Sequence, residues 1–436
     1  MTETITGRRR ACVHTVLPLC VRFVSFALPL LLIAAYSCGD SDSSGASGSH
    51  WVGSWSASPS DADNQGFNNQ TLRMILTPHL AGSTLRVHLS NRFGLQPVAV
   101  DRVSIAQRQS GASLVPGSSR SLTFGGEPSV TLPAGADVVS DPVRFTVAPF
   151  VDLAVSLYVP GVTGPATEHF TARQTSYLTG LTTGDRSADD DGAAFIGTTT
   201  SWYFVAGIDV MAPSGVAAVV AFGDSITDGF QGQGSPIFPN PEGLDANVRY
   251  PDFLQHRLLA IGRARSVLNA GISGNRILHD GTVTPAFGPR ALSRLAVDAI
   301  SQAGVTDVII LEGINDIGQI PRASATDIIA GLQQLVEQLH MARLNVLVGT
   351  LTPAGGTQGG FYGSAEAEDT RQAVNTWIRS SGVADGVVDF DAAVRDPQDP
   401  RRINPAYDGS DHLHFNPAGY EAMADAVNLA ALRGAP

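Results

Sequence analysis

Three side chains stand where nucleophilic catalysis could use them. An apolar run over 216–222 leads into Gly223-Asp224-Ser225-Ile226-Thr227-Asp228-Gly229, which sets Ser225 at the carboxyl end of an expected strand, where open α/β sheets build their sites. Near the other end of the chain, Asp411-His412-Leu413-His414-Phe415-Asn416-Pro417 precedes an expected final helix. There a carboxylate and an imidazole three residues apart can orient each other and reach Ser225. Two more loops, Asn269 to Asn275 and Glu312 to Asp316, follow expected strands at the same sheet edge. Both are rich in glycine and amides, as an oxyanion site requires, although each alone reads first as a plain turn.

Other chemistries lack their residues. The chain contains no lysine, so all 28 basic residues are arginine and a Ser-Lys dyad, a Schiff base and a Walker lysine are excluded. Gly-x-Ser-x-Gly is missing, which disfavours the nucleophile elbow of α/β-hydrolases. Neither His-Glu-x-x-His nor Cys-x-x-Cys occurs. His412 beside His414 invites a metal reading, but no matching ligand cluster stands elsewhere, and neither metal nor cofactor is expected. Asp224, Asp228, Asp316, Asp389 and Asp391 invite a paired-acid glycosidase, yet acids in glycine-rich turns commonly bond to nearby backbone amides. His279 and Glu312, close to the motif loops, are expected to line the pocket.

Two segments of different periodicity must position these groups. Over 51–211, short β-branched and aromatic runs alternate apolar and polar residues between Gly, Pro, Asn and Asp, the pattern of an antiparallel β-sandwich or jelly roll. Over 215–436, strands expected at 216–222, 267–269, 308–312, 346–351 and 387–390 alternate with helices at 251–261, 289–301, 325–342, 365–380 and 417–432. That alternation predicts a doubly wound, five-stranded parallel sheet covered on both faces. The long aperiodic stretch 230–248 reads as a rim or lid, or as an inert surface insertion.

The whole chain, 436 residues with 43% hydrophobic and 16% charged residues, suits two packed domains plus a targeting segment. Its net charge of −12 becomes −15 once residues 1–37, with four Arg and one Glu, are set aside, and an acidic surface repels phosphate backbones, so no nucleic-acid partner is expected. Arg8, Arg9, Arg10 and Arg22 precede the apolar run 23–36, followed by small residues. This predicts an export signal over 1–38 and a flexible linker over 39–50. Delivery to the periplasm, the medium or the cell envelope is the corresponding expectation. The three cysteines, Cys12, Cys20 and Cys38, all fall in that leader, so the globular part has no disulfide framework. Cys38 follows Ala35-Tyr36-Ser37 and resembles the cleavage box of a bacterial lipoprotein. A lipidated Cys38 tethering the protein to a membrane and an ordinary cleaved signal both remain open.

Taken in order, Gly223-Asp224-Ser225, Ser273-Gly274, Gly313-x-Asn315-Asp316 and Asp411-x-x-His414 resemble the four sequence blocks of the SGNH (GDSL-type) hydrolase family. Trp51-Val-Gly-Ser-Trp55, Leu89-Ser-Asn-Arg-Phe-Gly94 and Arg249-Tyr-Pro-Asp252 also resemble a two-domain bacterial branch with an N-terminal sandwich. The resemblance implies a flavodoxin-like catalytic domain in which Ser225 attacks an ester carbonyl. His414 would take the serine's proton and Asp411 would orient the imidazole. The oxyanion would be met by the backbone N–H groups of Ser225 and Gly274 and the side-chain amide of Asn315. The resulting expectation is an exported serine esterase acting on short acyl esters, with acetylated carbohydrate to be tested first. The alternatives are acyl transfer from the same acyl-serine, and a carbohydrate- or surface-binding protein with a relic hydrolase domain. Sequence gives no oligomeric state.

Overall fold

Alternating apolar side chains in the first half of the chain become one face of a sheet. In the strand Gly82–Ser90, Leu85, Val87 and Leu89 are fully buried while the residues between them are partly exposed. The computed structural model of the protein describes residues 48–433 apart from 65, 233–242 and 282–283. The expected export signal, Cys38, most of the linker and much of the 230–248 stretch lie outside the described residues. Among the described residues no helix is long and apolar enough to cross a membrane.

The principal strands of this half are β1 (Ser49–Ser56), β2 (Gln70–Leu76), β3 (Gly82–Ser90), β4 (Arg102–Ser110), β5 (Leu153–Val159), β6 (Ala166–His169) and β7 (Val205–Pro213). One antiparallel sheet runs β1-β7-β3, with Asp137–Val139 and Val143–Val147 both paired to β3. A second has β2, β5 and β4 at its centre, and a short third holds β6 between Asp61–Asp63 and Trp202–Tyr203. Side chains of both larger sheets, such as Val87 and Leu157, share one apolar core, which makes the region a β-sandwich.

After a turn at Ser214 and Gly215 the periodicity changes. The strands β8 (Ala217–Gly223), β9 (Arg265–Gly271), β10 (Val305–Leu311), β11 (Asn345–Gly349) and β12 (Gly386–Val388) form one parallel sheet in the order β9-β8-β10-β11-β12. This is the flavodoxin-like order, with its switch point beside β8. All seven residues of β8 are buried, as a strand covered on both faces requires. The helices are α1 (Ser225–Asp228), α2 (Tyr250–Ala260), α3 (Ala291–Leu295), α4 (Ile314–Gly318), α5 (Ala325–Met341), α6 (Ala365–Ser380), α7 (Phe390–Val394) and α8 (Pro417–Ala426). They fall into two groups: α2 packs on β9 and α8, whereas α5 packs on β11, α3 and α6.

Local sequence explains the long helices. Ser324 Oγ accepts from the Asp327 N–H while the Asp327 carboxylate accepts from the Ser324 N–H, a capping box. Ile328, Leu332, Leu335, Val336 and Leu339 then bury one stripe of α5. Two expected helices are shorter than their apolar patterns. The one at 289–301 is α3 followed by a π-helical turn, Ala296–Ile300. The final helix stops at Ala426, because Asn428 caps a separate 3-10 turn, Leu429–Ala431, by accepting from Ala430 N at 3.0 Å.

The sandwich and the parallel sheet interlock rather than touch at a hinge. Gly53 N donates to Ala303 O at 2.9 Å, and a side chain at Gly53 would fall 2.6 Å from Leu268 Cδ1. Ser56 Oγ donates to Asn269 O at 3.1 Å, and Arg92 pairs with Asp298 at 2.9 Å. Most buried apolar residues of both halves belong to one continuous cluster, with a small second group at Ile75, Ala106, Leu114 and Ala154 in the sandwich.

Unfolding in urea is therefore expected as a single transition. Tryptophan fluorescence, weighted to Trp51, Trp55 and Trp202 in the sandwich, should coincide with helical circular dichroism, which reports the α/β part. Leu268→Ala should cost about 2–5 kcal/mol and shift both signals together. Two separated transitions, or a shift in one signal only, would contradict the shared core.

Candidate active site

The strand order decides where the candidate residues meet. Gly223, the last residue of β8, pairs with Gly271 of β9 on one side and Leu311 of β10 on the other. The three loops that follow therefore leave the sheet side by side. The first begins α1, where the Asp224 carboxylate caps the helix by accepting from Ile226 N at 2.9 Å and Gly229 ends it at φ +93°. Glycine is required at the crossing, because a Cβ on Gly271 would lie 2.3 Å from Asp228 N.

Ser225 opens this turn with its Oγ 2.8 Å from His414 Nε2. The opposite ring nitrogen, Nδ1, lies 2.6 Å from Asp411 Oδ2. Asp411 Oδ1 accepts from the backbone N–H of His414 at 2.8 Å and of Leu413 at 3.0 Å. Burial works to raise the Asp411 carboxyl, but the His414 side chain and these two amides outweigh it and hold it at about 2. An ionised Asp411 takes the Nδ1 proton as a hydrogen bond, which leaves Nε2 with its lone pair toward the serine hydroxyl. The Phe230 ring meets the imidazole edge-on, with centroids 4.7 Å apart.

The loop after β9 brings Gly274 at φ +79°, where a Cβ would collide with Phe287 at 2.3 Å. The loop after β10 starts α4, which carries Asn315. Its Nδ2 donates to Asn275 O at 2.9 Å, while its Oδ1 accepts from Tyr362 Oη at 2.7 Å and Gln319 Nε2 at 3.0 Å. Gln319 Nε2 also donates to Gly274 O at 3.1 Å. The amide face of Asn315 is thereby fixed, with one of its two Nδ2 hydrogens committed to Asn275. Sequence reading missed Tyr362 and Gln319. Gln319 stands one helical turn beyond Asn315, a signal that was available; nothing local marks Tyr362.

His412 turns elsewhere. Its backbone is left-handed, at φ +64°, and its Nδ1 pairs with Asp408 rather than with the serine. Among the described residues no group of three or more His, Cys, Asp or Glu could hold a metal ion. The loop acids are each engaged: Asp316 accepts from Ile277 N at 2.7 Å and Leu278 N at 3.1 Å. Asp228 accepts from Ser273, and Asp389 and Asp391 pair with Arg379. The expectation that Glu312 lines the pocket is corrected, since it is fully buried and faces Arg294 at 3.1 Å. Its loop turns the side chain inward beneath the sheet edge. His279 does line a cavity of about 820 Å³ together with Leu278, Phe287, Gln319, Phe361 and Tyr362. Through Phe287, Gln319 and Tyr362 this cavity abuts the Gly274 and Asn315 loops.

Residues 221–422 match the family described as GDSL-like lipase/acylhydrolase. Among solved structures, an aryl esterase of M. smegmatis is 21% identical, covering 48% of this chain and 95% of its own, with a TM-score of 0.40. A carbohydrate acetylesterase from Sinorhizobium meliloti is 20% identical over 48% of this chain and 95% of its own, with a TM-score of 0.37. A GDSL-like lipase from Bacteroides thetaiotaomicron is 20% identical over 49% and 87%, with a TM-score of 0.35. No curated protein matches the sequence. The family match begins within β8 and ends within α8, so it takes in the serine turn, both glycine-rich loops and the Asp411–His414 turn, and this part of the chain is similar to GDSL-like lipases and acylhydrolases.

Proposed function

We propose that the protein is an exported serine esterase that hydrolyses carboxylic esters through an acyl-serine intermediate. The observation that carries this reading is the continuous hydrogen-bonded line from Ser225 Oγ through His414 to Asp411, at 2.8 and 2.6 Å. In it, Ser225 Oγ attacks the ester carbonyl carbon as His414 Nε2 accepts the hydroxyl proton. The tetrahedral oxyanion is met by the backbone N–H groups of Ser225 and Gly274 and by the Asn315 amide. Collapse breaks the bond to the alcohol, which leaves with the proton from His414. Water then repeats the sequence on the acyl-serine, releasing the acid and restoring Ser225.

Short acyl esters, with acetylated carbohydrate first, are the proposed substrates. The cavity beside Gly274 and Asn315 supports a mixed alcohol portion, because Arg276, His279 and Arg290 share its wall with Leu278 and Phe287. Export rests on the basic and apolar pattern of residues 1–38.

Ser225→Ala should lower kcat on a chromogenic acetyl ester by on the order of 10⁶-fold, with Tm close to wild type, because the hydroxyl contributes chemistry and little packing. Near-normal turnover would remove the serine mechanism.

Asp411→Asn should lower kcat by on the order of 10⁴-fold by presenting the wrong imidazole tautomer. Its stability effect has a definite sign. The Asp411 carboxyl lies at about 2 when folded, against about 3.9 in an unfolded chain. Its contribution is therefore full above pH ~4 and lost as pH falls through ~2. Thermal scans should show the wild-type advantage over Asp411→Asn narrowing across that acid window. A constant difference down to pH ~2 would refute the ion pair as its source.

Asn315→Ala should lower kcat by roughly 10²- to 10³-fold with little change in KM, since its donor acts on charge that exists only in the transition state. A well-folded Asn315→Ala enzyme with nearly full kcat would eliminate this amide as an oxyanion donor.

A further inference from the structure

The sandwich sends the ionisable side chain of His169 into the loops around Ser225. His169, the last residue of β6, is buried, with Nδ1 2.7 Å from Ser58 O and Nε2 3.0 Å from Asp228 Oδ1. A carbonyl oxygen only accepts, so Nδ1 must carry a proton. Asp228 Oδ2 meanwhile accepts from Ser273 N at 3.1 Å and Ser273 Oγ at 2.7 Å. Asp228 acts there as an acceptor, and its other oxygen likewise accepts from Nε2, which places a second proton on the ring. The geometry is that of an imidazolium bonded to a carboxylate.

Asp228 occupies a junction. It closes the turn that Ser225 opens, and its second oxygen holds the residue that immediately precedes Gly274. Arg249 adds a further tie, donating from Nε to Asp228 O at 3.1 Å and from a terminal nitrogen to Ala172 O at 2.6 Å.

We infer that His169 is a positioning residue for ester hydrolysis: as an imidazolium it fixes the Asp228 carboxylate, which holds the backbone N–H and hydroxyl of Ser273 and so aims the N–H of Gly274 at the oxyanion. The inference rests on the oxyanion reading given above. It makes the sandwich a working part of the reaction, contributing through one side chain that never touches substrate.

The charges around His169 agree. Burial opposes its charge, but Asp228, by charge and by hydrogen bond, and Ser58 O together outweigh that and lift it above the ordinary histidine value. Asp61 on the adjoining strand adds attraction, Arg249 opposes, and the Trp202 ring closes the remaining side at 5.5 Å. The balance therefore favours the protonated imidazole over a free histidine, as the two hydrogen bonds require.

The test compares His169→Gln, Ser273→Ala, Asn315→Ala and the double variant His169→Gln/Asn315→Ala, using 4-nitrophenyl acetate as the ester. His169→Gln should lower kcat about 10- to 100-fold with KM within about twofold and Tm nearly unchanged. The wild-type kcat should decline at alkaline pH as His169 deprotonates, and this limb should be absent from His169→Gln. The double variant should lose less than the product of its two single losses, because both changes damage one oxyanion site. Full kcat in His169→Gln beside a crippled Asn315→Ala overturns the inference and leaves the oxyanion reading standing. Full kcat in Asn315→Ala overturns that reading and the inference with it. If His169→Gln does not fold, Ser273→Ala decides, because it breaks the Asp228 link from the loop side. Its kcat should fall several-fold at unchanged Tm, and full activity, or a loss that follows Tm, refutes the positioning role.

Discussion

The site depends on one buried guanidinium. Arg294, on α3, lies beneath the ends of the strands that carry the candidate catalytic loops. Its Nε donates to Asn275 Oδ1 at 2.9 Å, one terminal nitrogen donates to Ala270 O at 2.8 Å and Asp298 at 3.3 Å, and the other donates to Gly223 O at 2.8 Å and Glu312 at 3.1 Å. All five donors of the fork are used. A buried cation is tolerated only when so fully satisfied, and losing a single partner would leave a desolvated charge. Arg294 therefore locks the exit of β8, the end of β9 and the Glu312 loop into one arrangement. Its guanidinium also stacks over Phe222, at 4.0 Å from the ring centroid.

That lock works together with the absence of side chains above it. Gly223 has no room for a Cβ, which would fall 2.6 Å from Leu311 O, and Gly271 has none against Asp228. Cation below and bare backbone above draw three loops close enough for their amides to converge. The sandwich completes the enclosure from one side, with His79 Nδ1 at 2.7 Å from Val267 O and its Nε2 at 3.2 Å from Asp252 on α2. Together with His169, this makes the sandwich part of the wall of the α/β half, and the two share one apolar core.

Much of this was legible because it is local. Asp411 and His414 are joined by a turn of their own making, and Ser225 follows a strand whose apolar run can only be buried. Alternating strands and helices led directly to the five-stranded parallel sheet, since burial on both faces leaves a continuous apolar signature. What sequence could not reveal are the partners brought in by tertiary folding. Arg294 reads as an ordinary helical arginine, and Tyr362 lies in a glycine-rich loop 47 residues from the amide it orients. His169 ends a short strand with no motif around it. The pattern over 289–301 reads as one helix because sequence periodicity does not separate the α turns of Ala291–Leu295 from the π turn of Ala296–Ile300. Glu312 was misplaced because a carboxylate beside a motif loop looks solvent-facing until the buried arginine beneath it is known.

The same buried floor bears on how the proposed oxyanion would form above it. Asp224, Glu312 and Asp316 lie under the site, and three carboxylates there would oppose an oxyanion if all were charged. Burial and their mutual repulsion push Asp224 up to about 7 and Glu312 well above the ordinary carboxylate range, with Arg294 only partly offsetting this. Asp316 is also raised by burial, against the pull of the Ile277 and Leu278 amides and Arg276. Each of these shifts favours the neutral form, so the floor resists carrying all three negative charges at once. The negative charge favoured at Asp411 lies instead behind the imidazole, where the proposed mechanism would have it stabilise the imidazolium formed as Ser225 gives up its proton. Two classes of carboxylate thus separate by environment: one group is driven toward neutrality beneath the amides, and one is kept ionised where the proposed mechanism calls for a positive charge.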